Sequence, residues 1–158
     1  MTLEELCEEI SIELELIESI LQELSALRKD TAGRKPTVRE KTAAATFMAQ
    51  FYSGVENILK RISRFNSVNI PTGDAWHIDL FKRFCEPSYT PLPALFDEPL
   101  SLAMAPFRKF RQVVYHGYGF QLDWSRMLEG IESIDDVFSR FKLKVLDYLQ
   151  TQKNCKKL

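Results

Sequence analysis

The fold class is decided at residues 2–27, TLEELCEEISIELELIESILQELSAL. Thr2 and Glu5 form a capping box, in which each side chain satisfies a backbone donor that a new helix leaves free. Apolar residues then recur in steps of three and four, the spacing of one helix face, at Leu3, Cys7, Ile10, Leu14, Ile17, Leu21 and Leu24. This stretch predicts one long amphipathic helix. Packing of its apolar face within the chain is favoured over a coiled-coil or dimer seam, because the heptad pattern stops after about three repeats.

A second capping box, Thr37 with Glu40, predicts that another long helix follows. That helix should run to about Asn66 and bury an aromatic-rich face made of Phe47, Phe51, Val55, Ile58, Ile62 and Phe65. Gly54 costs about 1 kcal/mol of helix propensity relative to alanine, which indicates that a neighbouring helix approaches closely there. We expect the first two helices to form an antiparallel hairpin.

The middle of the chain predicts a short helix, an irregular connection and a further helix. Asp74 is a favourable N-cap for a helix over residues 75–86. Four prolines make residues 87–99 an irregular surface segment. Helical spacing returns from Leu100, and Pro106 marks either a kink in this helix or its true start.

The C-terminal part predicts a last helix, which Asp123 caps and which begins near Trp124. We expect an interruption at residues 130–133 and fraying of the basic tail, residues 151–158. Alternation of apolar and polar residues is nowhere long enough to predict a strand. The prediction is therefore an all-α bundle of long antiparallel helices, with residues 1–150 as a single domain.

The charge is unevenly distributed along the sequence. The formal net charge is −1, but residues 1–28 contain eight glutamates and one arginine, so residues 29–158 carry +6. This asymmetry permits a polyanionic partner on the basic part. No apolar run approaches the ~20 residues that span a bilayer. The acidic N-terminus is unlike a secretory leader, and the three cysteines lie far apart without metal-ligand spacing, so we expect a cytosolic protein with free thiols.

The candidate site is residues 107–124, FRKFRQVVYHGYGFQLDW. Its chemically useful side chains are Arg108, Lys109, Arg111, His116 and Tyr118. An arginine holds phosphate through charge-assisted hydrogen bonds, and a histidine exchanges protons near neutral pH. Together they are able to cleave RNA without a metal, the histidine moving a proton of the 2′-hydroxyl or of the leaving oxygen and the arginine stabilising phosphorane-like charge.

A structural interpretation of the same residues stands beside this one. Arg111 would make a surface ion pair, and His116 would cap a helix C-terminus before Gly117. Residues five apart also differ by about 140° around an ideal helix, so Arg111 and His116 converge only if the helix end bends or a second subunit supplies one of them. The other histidine, His77, is favoured as a packed or hydrogen-bonded structural residue, and Glu56 is an unexplained polar residue of the second helix.

Three segments resemble the HEPN superfamily, and specifically the HepT-like toxins of prokaryotic HEPN/MNT toxin–antitoxin pairs. They are FYSGVENIL at residues 51–59, GDAWH at residues 73–77 and RQVVYHGY at residues 111–118. The last is similar to the R-x4-H-x-Y motif of that group. The position after the arginine, often a small polar residue in the superfamily, is Gln112 here.

The resemblance implies a helical bundle that dimerises and forms a metal-independent ribonuclease cleft with no cofactor of its own. It implies catalytic roles for Arg111 and His116. A cognate MntA-like minimal nucleotidyltransferase would act as antitoxin by transferring AMP from ATP to Tyr118. Arg108 and Lys109, beside the motif, are candidates for binding the RNA substrate, either tRNA or mRNA.

Two non-enzymatic alternatives remain at this point. One is a HEPN-fold protein that binds nucleotide or a nucleotidyltransferase partner without cutting RNA. The other is a helical scaffold assembled through the apolar face of the first helix.

Overall fold

The computed structural model describes residues 1–116 and 122–157, and this part of the chain contains five α-helices. They are α1 (Leu3–Thr31), α2 (Val38–Phe65), α3 (Trp76–Arg83), α4 (Glu98–Tyr115) and α5 (Trp124–Lys156). The described residues include no strand, apart from an isolated bridge between Cys85 and Phe96. The prediction of an all-α bundle is confirmed. None of the described helices combines the length and the apolar character needed to cross a membrane.

The first two helices form the predicted antiparallel hairpin. Both capping boxes are present, and the helices begin where the sequence places them. Arg61, near the end of α2, pairs with Glu9 and with Glu13 at 3.0 Å, both in the first half of α1. Further back along α2, a Cβ atom on Gly54 would lie 2.6 Å from Ile17. Residues later in α2 therefore contact residues earlier in α1, as an antiparallel hairpin requires. The predicted close approach of a neighbouring helix at Gly54 is also confirmed.

The last helix packs antiparallel to α1 and closes the core. Glu132 pairs with Arg28 at 2.7 Å, and Lys142, further along α5, pairs with the earlier Glu18 at 2.5 Å. Inside the bundle the ring of Phe51 from α2 packs in T-shaped geometry with aromatic rings from α4 and α5. Its centroid lies 5.3 Å from that of Phe107 and 6.4 Å from that of Phe138.

Two predictions about α5 are wrong. The helix runs without a break through Gly130, because Met48 and Phe107 pack against this position and compensate for its low helix propensity. The helix also continues through the basic tail to Lys156 instead of fraying after residue 150. Gln150 donates a hydrogen bond to Asn154 at 3.1 Å, and the lysines of the last turn complement the negative end of the helix dipole.

The segment around α3 differs from the sequence prediction at both ends. Ala75, not Asp74, occupies the N-cap position, without a side-chain cap. The helix ends at Arg83 because the carbonyl of Phe84 accepts hydrogen bonds from the backbone N–H groups of Leu95 and Phe96 at 2.9 and 3.1 Å. The irregular segment that follows is confirmed and ends at residue 97.

The helix α4 begins two residues before the predicted Leu100. Asp97 is its N-cap, accepting a hydrogen bond from the backbone N–H of Leu100 at 2.9 Å. Pro106 lies inside the helix and is therefore not its start. The beginning of α4 packs close to α5, where Lys144 lies 3.7 Å from Asp97.

Candidate functional site

A groove of about 500 Å³ opens where the C-terminal end of α4 meets the start of α3. Residues of the loop before α3, of α3 itself and of the end of α4 line it. They are Gly73, Asp74, Trp76, His77, Arg111, Gln112, Tyr115 and His116. Both residues of the predicted catalytic pair, Arg111 and His116, are among them.

Two residues of α2 hold the side chain of Arg111 in place. Its Nε atom donates a hydrogen bond to Ser53 Oγ at 2.9 Å and lies 3.2 Å from Glu56 Oε1. The Glu56 side chain is only 2% exposed, whereas that of Arg111 is 18% exposed. The guanidinium carbon lies 4.6 Å from the centre of the Tyr115 ring. One edge of the guanidinium is therefore fixed by buried groups, and the cation is presented to the groove between α3 and α4.

The same buried carboxylate also holds a histidine. His77 Nδ1 lies 2.5 Å from Glu56 Oε2, so the two oxygens of Glu56 serve His77 and Arg111 separately. Arg111 Nη1 is 3.4 Å from each ring nitrogen of His77. The His77 ring packs on the neighbouring Trp76 ring, with 3.5 Å between centroids. His77 is thus hydrogen-bonded and packed as the sequence favoured, and it also lines the groove beside Arg111.

His116 occupies the C-cap position of α4, and its side chain is exposed. Its Nε2 atom lies 3.3 Å from Gln112 Oε1, so Gln112 bears on the orientation of the histidine. The backbone N–H of His116 still donates to the carbonyl of Gln112 at 3.1 Å, and His116 lines the same groove as Arg111. One protomer therefore brings both residues to one groove, and a second subunit is not needed for that.

The two other basic residues of the motif region lie elsewhere. The guanidinium of Arg108 is 5.7 Å from the centre of the Phe81 ring, and Lys109 lines a separate cavity of about 580 Å³ between α4 and α5. Neither is among the residues lining the groove, although the sequence singled both out for substrate binding. Tyr118 lies outside the described residues.

The sequence interpretation missed the supporting role of α2. Ser53 and Glu56 anchor the site, and His77 and Trp76 form one of its walls. The available signal was Glu56 itself, a carboxylate among the apolar residues of an amphipathic helix, since a buried charge requires a charged partner. Tyr52, one turn earlier, is buried, and burial, and to a lesser degree the charge of Glu56, raises the pKa of its hydroxyl.

The helical bundle of the described residues, with a groove lined by arginine and histidine, is consistent with a HEPN-type protein. The chain belongs to the HepT-like protein family, whose model matches residues 43–152. The match includes all three segments that line the groove. No curated protein and no solved structure matches the chain. Membership of this family assigns the chain to the HEPN-type components of toxin–antitoxin systems.

Proposed function

We propose that this protein is the toxin of its toxin–antitoxin pair, a metal-independent endoribonuclease that acts as a homodimer. The observation that carries the proposal is the groove in which Arg111 and His116 lie together beside a second histidine. Family membership supports it, because HepT-like proteins are generally HEPN nucleases.

Arg111 is the phosphate-binding residue in this proposal. Glu56 and Ser53 hold its Nε edge and Nη1 lies 3.4 Å from each ring nitrogen of His77, which leaves Nη2 as the donor toward the groove. A guanidinium held in this way loses little conformational freedom when it binds a phosphodiester, and it stabilises the additional negative charge of the pentacoordinate transition state. The anchoring carboxylate is therefore compatible with phosphate binding.

His116 is the proton-transfer residue at the mouth of the groove. Its exposure and its position at the end of α4 allow the ring to reach an RNA strand that is bound across Arg111. An imidazole exchanges protons near neutral pH and typically accelerates such a step by about 10²–10⁴-fold.

Modification of Tyr118 by the partner provides the control in this proposal. An MntA-like nucleotidyltransferase would transfer AMP from ATP to this tyrosine, two residues beyond His116 in the sequence. The added phosphate would compete with RNA for the Arg111 cation, and the adenosine would occupy space beside the groove. The chain itself would need no cofactor.

Cleavage of total tRNA by the purified protein, with EDTA present, tests the ribonuclease activity. We expect cleavage by the wild type and a loss of about 10²-fold or more for His116→Ala and for Arg111→Lys, which keeps the charge that Glu56 requires but loses the planar fork. Arg39→Ala, which removes an exposed arginine at the start of α2, is the matched control and should cleave normally. A wild type that binds a nucleotidyltransferase but cleaves no RNA at any concentration would identify the non-catalytic alternative.

Self-association is measured separately by light scattering. We expect a dimer at micromolar concentration. A monomer that still cleaves RNA would refute the dimer and leave the ribonuclease proposal standing, because the groove contains both residues in one protomer.

A further inference from the structure

We infer that His77 is a second proton-transfer residue of the groove, the base that takes the 2′-hydroxyl proton, while His116 is the acid that protonates the leaving 5′-oxygen. The inference rests on the proposed ribonuclease function and deepens it. The sequence assigned proton transfer to His116 alone, whereas this inference assigns it to both histidines.

The contact between His77 and Glu56 fixes how the imidazole works. Nδ1 lies 2.5 Å from Glu56 Oε2, and the carboxylate accepts a hydrogen bond there, so the proton of the neutral ring lies on Nδ1. Nε2 then carries the lone pair, as a general base requires. A buried carboxylate in this position also stabilises the imidazolium that forms when the base takes a proton.

Packing keeps the ring in this orientation. The Trp76 ring lies against the His77 ring at 3.5 Å between centroids, and Lys60 Nζ lies 4.4 Å from the centre of the Trp76 ring. The His77 side chain is 14% exposed, which limits its movement without closing it off from the groove that it lines.

The position of Arg111 brings substrate to this base. Arg111 Nη1 is 3.4 Å from His77 Nε2, a long contact in which the guanidinium is the donor. A phosphodiester that takes the Nη1 donor releases the Nε2 lone pair and lies beside the imidazole. The 2′-hydroxyl that attacks a phosphorus atom belongs to the ribose on its 3′-oxygen side, only a few bonds away. The arginine that binds the phosphate therefore also places the nucleophile near His77.

The surroundings of His116 suit the role of the acid that protonates the leaving 5′-oxygen. Its Nε2 contacts the amide oxygen of Gln112 at 3.3 Å, and no carboxylate pairs with it among the described residues. The exposed ring is open to solvent and to a bound substrate, as the acid of this step requires. Glu56 from α2 and Arg111 from α4 contact His77. The other charged and titratable groups around it are Lys60 from α2, which lies over the Trp76 ring, and the groove residues Asp74, Tyr115 and His116.

The reaction balances with these two residues. His77 Nε2 removes the proton of the 2′-hydroxyl, and the 2′-oxygen forms a bond to phosphorus. The bond from phosphorus to the 5′-oxygen breaks, and the leaving oxygen takes a proton from the His116 imidazolium. The products are a 2′,3′-cyclic phosphate and a 5′-hydroxyl, and solvent returns both histidines to their starting states.

The test compares His77→Gln, whose amide is able to keep the hydrogen bond to Glu56, with His116→Ala on two RNA substrates. One is an ordinary oligonucleotide that contains the mapped cleavage site. The other has sulfur in place of the 5′-oxygen at that site, and its thiolate leaves without a proton. On the ordinary RNA we expect both variants to lose about 10²–10⁴-fold in kcat with little change in KM. On the sulfur-containing RNA, His116→Ala should recover most of the loss and His77→Gln should not.

The pH dependence of kcat gives an independent readout. The wild-type profile should be bell-shaped, and His77→Gln should lose the limb that rises with pH, because that limb reports deprotonation of the base. Recovery of His77→Gln on the sulfur-containing RNA, or a kcat within a few-fold of wild type, would overturn the inference while leaving the ribonuclease proposal intact. A wild type that cleaves neither RNA would overturn both.

A measurement on the wild-type protein tests the same assignment without depending on the folding of a variant. Long-range proton–nitrogen NMR reports which ring nitrogen of His77 carries the proton. We expect the proton on Nδ1. A neutral ring with the proton on Nε2 would have no lone pair facing the groove, and that result would overturn the assignment of His77 as the base.

Discussion

Glu56 Oε1 lies 3.2 Å from Arg111 Nε, and the carboxylate is almost completely buried. The pair joins α2 to α4 under the groove, so the two residues depend on each other for stability as well as for position. Removing one partner of a buried pair leaves the other charge without compensation in a medium that solvates it poorly.

Arg111→Ala should therefore destabilise the fold by about 2–4 kcal/mol, since it leaves Glu56 with only the imidazole of His77 as a partner. Adding Glu56→Gln should recover about 1–3 kcal/mol of that loss, because the uncompensated charge disappears. Urea unfolding of the single and double variants measures this coupling. His116→Ala, an exposed change in the same groove, should shift stability by less than about 0.5 kcal/mol. Strict additivity would show that the ion pair contributes nothing.

Gly54→Ala should destabilise the protein by about 1–3 kcal/mol, although alanine is the better helix former. Its Cβ atom would lie 2.6 Å from Cγ1 and 2.8 Å from Cδ1 of the buried Ile17. Gly130→Ala is the matched control, because the atom in its way is the terminal methyl of Met48, which is able to move. We expect that change to alter stability by less than about 1 kcal/mol. Thermal unfolding compares the two, and equal effects would argue against close packing of α1 on α2.

Glu40 should make the stability of the protein sensitive to acid. Hydrogen bonds from the Arg34 guanidinium, at 2.8 and 2.6 Å, and from the backbone N–H of Thr37 lower the pKa of this carboxyl from 4.5 to about 2. Because the pKa is lower in the folded state, the stabilisation is fully present above the unfolded value and is lost as the pH falls toward 2.

Thermal midpoints of wild type and Glu40→Gln, measured from pH 7 to pH 2, follow this effect. The difference should be constant above about pH 5 and should vanish near pH 2. Glu23→Gln, an exposed carboxylate on α1, is the control for a general effect of charge. A difference between wild type and Glu40→Gln that stays constant down to pH 2 would contradict the lowered pKa.

Tyr118 should gain the mass of one or more AMP groups when the protein is incubated with ATP and its nucleotidyltransferase partner. Intact-mass spectrometry measures the gain, and peptide mapping locates it. Tyr115 is a stringent control because the residue is 62% exposed and lines the groove. Tyr118→Phe should abolish the gain, and Tyr115→Phe should preserve it. A gain that maps to Tyr115, or no gain at all, would contradict the proposed control by AMP.

The sequence predicted the long helices well because their determinants are local. Capping boxes at Thr2 and Thr37 and apolar spacing of three and four residues act within a few turns, so α1 and α2 begin where they were expected. The errors occur where distant contacts override local preference. Gly130 stays helical because Met48 and Phe107 pack on it, and α3 ends early because Phe84 pairs with the backbone of residues 95 and 96.

Part of the candidate site was predictable from the sequence and part was not. The resemblance to the R-x4-H-x-Y motif pointed to Arg111 and His116, whereas their spacing alone also fitted a structural role. The partners of Arg111 lie on α2 and α3, and their contacts with it depend on how three helices pack. Glu56 was noticeable in the sequence as a polar residue on an apolar helix, but its two partners emerge only from the tertiary structure.

The residues of the site come from three helices, α2, α3 and α4, which the ribosome makes one after another. A ribosome-bound chain possesses the anchoring carboxylate of Glu56 once α2 has emerged and His77 once α3 has emerged, but it lacks Arg111 and His116 until α4 is complete. The parts of the groove therefore come together late in translation. A chain that ends before residue 111 never acquires the cation of the groove, and under the proposed function it is unable to cleave RNA.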